Sequence, residues 1–464
     1  MKTSDSTNNA KPQQIEKSST GFFAGVDALG GGTAIAQGLK DYFQKSSFAR
    51  NVATLMTGAT IAQVIPVLVS PILTRLYLPE DFGVLALFIA ICSFAGTIIT
   101  GKYDSSIVLP NRDEDAVNIL ALCFIITITI SVVALLIVVL SNNSIDHLVG
   151  MPELSKWLYF VPLSLFLIGV YQALSNWSCR KKQFMHLATR DVIQSSSTST
   201  IKLGMGLVGA GFGGLIAGTL VGNALATAFL SRVVWKADKD KKKFLSKDLV
   251  IANAAKYSDF PKYNAPQAFL DGFRRGGLVF IITAFVGLNV LGYYTFAVAM
   301  ILKPLRMIGN AVSQVFYQKA AEAYNSGEDV WHITRKLLLR LFLIGIPGFL
   351  FIAFFGPQAF SLVFGANWRE AGSYGQLLIP WLFLQFITSP ITTIPLILRK
   401  QKQYFIVSLG YNLLIPSIMA AALWLGAGFR NALILLALFA SLYLIGMLLW
   451  IRRITISHSD GEKA

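Results

Sequence analysis

Three features of the chain predict an all-α polytopic membrane protein with about twelve transmembrane helices: its apolar share, its long charge-free stretches, and the placement of its lysines and arginines. Of 464 residues, 54% are hydrophobic and only 14% charged, more apolar surface than a soluble fold of this size can cover. The stretches 82–101, 117–140, 157–179, 212–231 and 431–451 contain no Asp, Glu, Lys or Arg, and each is close to the ~20 residues that cross a bilayer. At that depth the backbone must satisfy its own hydrogen bonds, and a helix does so within one segment.

Apolar windows between charged or turn-rich breaks place spans at 51–74, 82–101, 117–140, 157–179, 190–210, 212–234, 262–286, 288–316, 337–355, 371–398, 404–429 and 431–451. With the N-terminus in the cytoplasm, 31 of the 40 basic residues fall in inside segments, and the outside loops hold only Arg75, Lys156, Arg369 and Arg430. The preference of Lys and Arg for the inner face then sets both termini inside, in a bacterial cytoplasmic membrane. The net charge of +16 is spread over those inner connections, so it gives no reason to invoke nucleic acid.

Residues 1–50 are rich in Ser, Thr, Asn, Gln, Gly and Lys, without the compact apolar core of a cleavable signal. They read as a cytoplasmic tail, and 21–43 is either part of it or a helix lying on the membrane surface. The run KADKDKKKFLSK (236–247) marks a cytoplasmic linker, 235–261, between an N-lobe (51–234) and a C-lobe (262–451), with a second tail at 452–464. Six helices per lobe make the halves a parallel repeat, and Phe82-Gly83 matches Leu291-Gly292 at corresponding openings.

Five cations break the apolar rule near mid-span: Lys202 in the fifth, Arg274 and Arg275 in the seventh, Lys303 and Arg306 in the eighth. At about 2.5 to 3.5 kcal/mol each they would cost on the order of 12 to 17 kcal/mol facing lipid, so they are expected to face protein or water. Asp271 lies on the same helix face as Arg274 and Arg275 and offsets one charge. The bland alternative is snorkelling or ion pairing for packing. An anion-binding cavity uses Arg as a bidentate fork for phosphate and Lys as a point charge. Pro261, Pro266 and Pro304 break helices around these cations. Pro66 and Pro71 in the first span, with Pro380, Pro390 and Pro395 in the tenth, are either hinges or tolerated prolines. Tyr293 and Tyr294 are candidates for stacking on sugar rings, whereas Tyr171, Trp177, Trp368 and Trp381 fall near span ends and read mostly as an interfacial belt.

Cys92, Cys123 and Cys179 have no metal-ligand or redox spacing and the four histidines are scattered, so no metal or cofactor is expected. The absence of paired catalytic carboxylates, a nucleotide-sugar motif, a Gly-rich phosphate loop or a large outside loop argues against an enzyme.

The chain resembles the polysaccharide-export branch of the MOP superfamily, the Wzx-type flippases, in ILTRLYLPEDFGVLALF (72–88), GKYDSSIVLPNRDEDAVNIL (101–120), YSDFPKYNAPQAFLDGF (257–273) and LGYYTFAVAMILKPLRMIGNAVSQVFYQKAAEA (291–323). The resemblance implies two six-helix lobes around a central cationic cavity that opens alternately to either side. The implied cargo is an undecaprenyl-pyrophosphate-linked oligosaccharide for O-antigen, capsule or exopolysaccharide. Its other implied partners are membrane lipids, a polysaccharide polymerase and a chain-length regulator. Coupling to a proton or sodium gradient would use Asp104, Asp191 or Asp271. The rivals are a multidrug or ion antiporter of the same superfamily, which would want buried carboxylates, and a peptidoglycan-precursor flippase, which usually has fourteen helices.

Overall fold

The computed structural model describes residues 47–140 and 156–461. Its twelve long helices are α1 (Ser47–Leu76), α2 (Pro79–Gly96), α3 (Asp113–Leu140), α4 (Val161–Arg180), α5 (Phe184–Leu207), α6 (Gly211–Ala237), α7 (Ala265–Phe285), α8 (Leu288–Asn325), α9 (Val330–Phe364), α10 (Arg369–Thr388), α11 (Gln401–Trp424) and α12 (Phe429–Gly461). Among the described residues, ten of these are long and apolar enough to cross a membrane. The two that are not, α5 and α7, hold three of the five mid-span cations, and α5 adds seven consecutive polar residues at 194–200. Helices this polar persist across a bilayer only where protein or water covers them.

Most boundaries lie within a few residues of the sequence-based spans. The fifth begins at Phe184 rather than 190, because the polar stretch gives no hydropathy edge and the helix starts right after the turn at Lys182, whose φ is +57°. The tenth breaks where its prolines predict: α10 gives way to a 3₁₀ turn at Ser389–Thr393 and a short helix at Ile394–Ile397. Residues 1–46, most of the expected N-terminal tail, lie outside the described residues.

Helices α1–α6 and α7–α12 form two lobes. In the first, α5 packs between α1 and α6; in the second, α10 packs against α9 and α12. The principal bridge is α2, which lies against both α7 and α8. Its start follows from local chemistry: Pro79 occupies the first turn, Glu80 and Asp81 face the positive end of the helix dipole, and the Asp81 carboxylate accepts the Leu78 N–H at 2.8 Å. Gly83 of α2 and Gly292 of α8, the pair matched in sequence, meet at the crossing. A β-carbon on Gly83 would collide with the Leu288 carbonyl oxygen, and one on Gly292 with that of Pro79. Only glycine lets two backbones approach so closely.

At the opposite, lysine-rich end, the connection between the lobes is folded onto the first one. A 3₁₀ turn (Lys239–Phe244) and a ten-residue helix (Lys247–Lys256) make it up. Buried Asn118 donates to the Phe244 carbonyl at 2.8 Å and accepts the Ser246 N–H at 3.0 Å. The Tyr103 hydroxyl donates to the Ala254 carbonyl at 2.9 Å. Asp113 takes Arg180 at 3.1 Å, Lys181 at 2.6 Å and Lys241 at 2.7 Å, and Lys241 also reaches Asp238 at 3.0 Å. Partial burial works against the Lys241 charge, and the hydrogen bonds to Asp113 and Asp238 outweigh it, holding the ammonium above the usual lysine range.

Candidate substrate cavity between the lobes

Lys202 of α5 belongs to the first lobe and Lys303 of α8 to the second, yet each lies close enough to other cations to be repelled, Lys202 by Lys303 and Lys303 by Arg306. Both lysines are half-buried and Arg306 is exposed. Among the described residues none of the three forms an ion pair. The fold makes room for Lys202 locally, since its Cγ sits 2.6 Å from where a β-carbon on Gly218 of α6 would be. The Tyr77 hydroxyl donates to the Lys202 carbonyl at 2.7 Å and ties the end of α1 to α5. Lys303 precedes Pro304, which α8 carries inside its 38 residues. Proline deletes one backbone hydrogen bond there and gives the helix a place to bend.

Helix α7 brings Asp271, Arg274 and Arg275 to mid-helix; their side chains lie outside the described ones. The flanking glycines are placed. Gly272 abuts Thr97 and Phe94 of α2, and Gly276 lies against Phe280. The Phe94 and Phe269 rings meet at 4.6 Å, so α7 follows α2 along much of its length.

Away from the lysine-rich end, aromatic side chains join the two lobes. Trp368, fully buried, donates through Nε1 to the Thr74 carbonyl of the other lobe at 3.0 Å. Phe82 meets Trp368 at 5.0 Å and Phe296 at 5.4 Å, both edge to face, and the Phe296 and Trp368 rings are 4.3 Å apart. Ser70 of α1 donates to Met300 Sδ at 3.4 Å. The belt reading of Trp368 is therefore corrected: it joins the lobes, as burial and its N–H partner require. Trp177 is buried too, donating to Asp238 at 2.9 Å, and Trp381 donates to the Tyr411 hydroxyl at 2.6 Å.

The two tyrosines considered for sugar stacking separate. Tyr294 is 5% exposed and packs edge-on against Phe429 inside the second lobe, so its ring is withheld from a ligand in this arrangement. Tyr293 is half-buried beside Trp368 and Tyr374, part of the aromatic group that joins the lobes.

Asp191 and Asp104, the coupling candidates whose side chains are described, differ sharply. Asp191 is paired with Arg190 at 3.0 Å. The Arg190 guanidinium is buried, lies 3.7 Å over the Tyr171 ring and donates to Gln194, which in turn donates to Asn223 of α6. Asp104 is buried in the turn between α2 and α3, accepting from the Thr100 hydroxyl at 2.5 Å and from Asn176 at 3.1 Å. It has no cationic partner among the described residues. The sequence reading missed the Arg190 network because Arg190 falls at the very edge of the fifth span, next to a basic inner connection. Its signal was the adjacent Asp191, an opposite charge at the mouth of a polar helix.

Residues 72–373 match the family described as polysaccharide biosynthesis protein. No curated protein matches the chain. Among solved structures the chain is similar to a multidrug-resistance MATE-family transporter of the MOP superfamily in its inward-facing conformation. That likeness has 16% identity, covers 88% of this chain and 96% of the other, and has a TM-score of 0.63. The outward-facing conformation of such a transporter gives 14% identity, the same coverages and a TM-score of 0.55. A MATE transporter in complex with MaL6 gives 15% identity, 88% and 96% coverage, and 0.55. These likenesses show that the chain shares the fold of those structures.

Proposed function

The chain belongs to the polysaccharide biosynthesis protein family, and on that premise we propose that it is a flippase, carrying an undecaprenyl-pyrophosphate-linked oligosaccharide across a bacterial cytoplasmic membrane by alternating access. The observation that supports this reading is that Lys202 and Lys303, from opposite lobes, lie within electrostatic range of each other, with Arg306 near Lys303 and no ion pair among the described residues. Like charges near one another with no carboxylate partner among the described residues are stabilised by an anion placed between them, and a pyrophosphate with several oxygens can contact both lobes at once. Arg274 and Arg275 on α7 add bidentate donors in this scheme, with Asp271 trimming the charge. The lysine-rich end faces the cytoplasm, so the aromatic closure at Trp368 seals the outer side.

The sign of the cavity argues against export of cationic drugs, which calls for buried carboxylates. Asp191 is committed to Arg190, and Asp104 and Asp271 then stand as the carboxylates for coupling to a proton or sodium gradient. Twelve long helices among the described residues, rather than fourteen, favour an oligosaccharide flippase over one for peptidoglycan precursors.

Replacing both Lys202 and Lys303 with Gln should abolish surface glycan and pile up the lipid-linked intermediate on the cytoplasmic side, while the protein still accumulates, because removing two repelling cations relieves strain. A double Arg variant should retain part of the activity. Undiminished surface glycan from the double Gln variant would return the lysines to a packing role.

A further inference from the structure

Outside the central cavity, α3, α4, α6 and the start of the inter-lobe connection enclose a slot of about 360 Å³. Its walls are almost wholly apolar, with Val117, Leu120, Phe124, Leu174 and Val234 prominent, and all of its lining comes from the first lobe and the connection. Trp235, 60% exposed, and Leu245, 50% exposed, stand at its open edge, and the exposed Ile125 and Ile128 continue α3 beyond it toward the lipid.

The basic end of the slot is charged. Lys241 and Asp238 line it, and the cluster they share, Arg180, Lys181 and Lys241 against Asp113 and Asp238, retains a net positive charge. Both Lys181 and Lys241 lie over the buried Trp177 ring, at 5.3 and 5.5 Å. Arg232 and Lys236 of α6 follow the lining residues Ser231 and Trp235 in sequence, are exposed, and form no ion pair among the described residues.

An apolar slot beginning about one turn inside a helix end, beneath a cationic rim, has the chemistry to take an anionic amphiphile: the chain leaves the slot's apolar walls no exposed surface, and the headgroup meets the rim. We propose that the slot holds one acyl chain of an anionic phospholipid from the leaflet at the lysine-rich end, with the phosphate at the rim of Arg232, Lys236 and the Lys181–Lys241 pair. No lining residue comes from α7–α12, so a cargo held between Lys202 and Lys303 has no part in it. Lysine 241 and Leu245 belong to the connection, so the bound lipid also fastens that connection to α3.

Native mass spectrometry of the full chain, released from detergent with equal phosphatidylglycerol and phosphatidylcholine, tests this. One phosphatidylglycerol should be retained in preference to phosphatidylcholine. Arg232→Gln with Lys236→Gln, both at exposed sites, should reduce that preference by about fivefold per cation. Ala121→Trp, which fills the slot, should lose the retained lipid whatever its headgroup; the surface pair keeps the test open if that variant does not fold. Equal retention of the two lipids by the unaltered protein, or an unaltered preference in the surface pair, overturns the proposal. Displacement of phosphatidylglycerol by polyprenyl phosphate would give the slot to the cargo's tail and overturn it too. Retention is read without transport, so this result and the flippase reading fail independently.

Discussion

Arg190 illustrates how much one buried charge organises. Its guanidinium is held by the Asp191 carboxylate, the Gln194 amide oxygen and the Tyr171 ring, and through Gln194 it reaches Asn223, so three helices of the first lobe meet at one cation. Its Nε has no hydrogen-bond partner among the described residues. Removing the cation leaves a carboxylate behind, and because Asp191 keeps 28% side-chain exposure, water compensates part of the loss. Arg190→Gln should therefore cost about 2 kcal/mol, below the roughly 3 to 5 kcal/mol of a fully buried pair, read as a lower unfolding temperature in detergent. Adding Asp191→Asn should recover part of that loss, since no uncompensated charge remains; a double variant no more stable than the single would show that the pair is not coupled. Lys202 and Lys303 were legible in the sequence because a mid-span cation is expensive wherever it occurs. Arg190 was not, because a cation near a helix end is cheap, and only the contacts of α4 and α6 make this one internal. Tyr294 misled for a related reason: sequence places it on α8 but does not say which face of α8 the second lobe covers.

At the scale of elements, the crossing of α2 and α8 brings two backbones of opposite lobes into close approach. Since a β-carbon at Gly83 runs into the Leu288 carbonyl, Gly83→Val should push the helix starts apart and loosen the aromatic closure around Trp368. Met300→Cys reports on this, because Met300 lies just beneath the closure, against Ser70. Its labelling by a membrane-impermeant thiol reagent added to intact cells should rise in the valine variant. The native thiols add little background, since Cys92 and Cys123 are buried and Cys179 is half-buried at the other end. Unchanged labelling would mean that the crossing tolerates the extra bulk and does not control the closure. The sequence made the glycine pair visible as a repeat, yet repetition alone carries no information about contact. That the two copies touch follows from how the lobes are placed, which no local pattern encodes. Span existence was legible from apolarity in ten helices, whereas α5 lost six residues at its start because its polar run erases the hydropathy edge.

Across the whole molecule, the lysine-rich connection from Asp238 to Lys256 is tied, among the described residues, to the first half. Its hydrogen bonds and ion pairs run to Asp113, Asp115, Asn118, Trp177 and Tyr103, all encoded before it. As the ribosome delivers the chain, every partner of this segment is already in the membrane when the segment emerges. The ~200 residues still to come take on the order of 10 to 40 s to synthesise. During that interval the first half can finish assembling, connection included, and offer a completed surface to helices that arrive later. Genetically, the natural seam thus lies after Lys256 rather than within the run of lysines. Two fragments separated between Lys256 and Pro261 and made from separate genes should reassemble and restore surface glycan, whereas a break between Asp238 and Lys241 should yield an unstable first fragment that cellular proteases clear. Equal rescue by both pairs would show that the seam has no preferred place and that the connection docks only after the halves have joined.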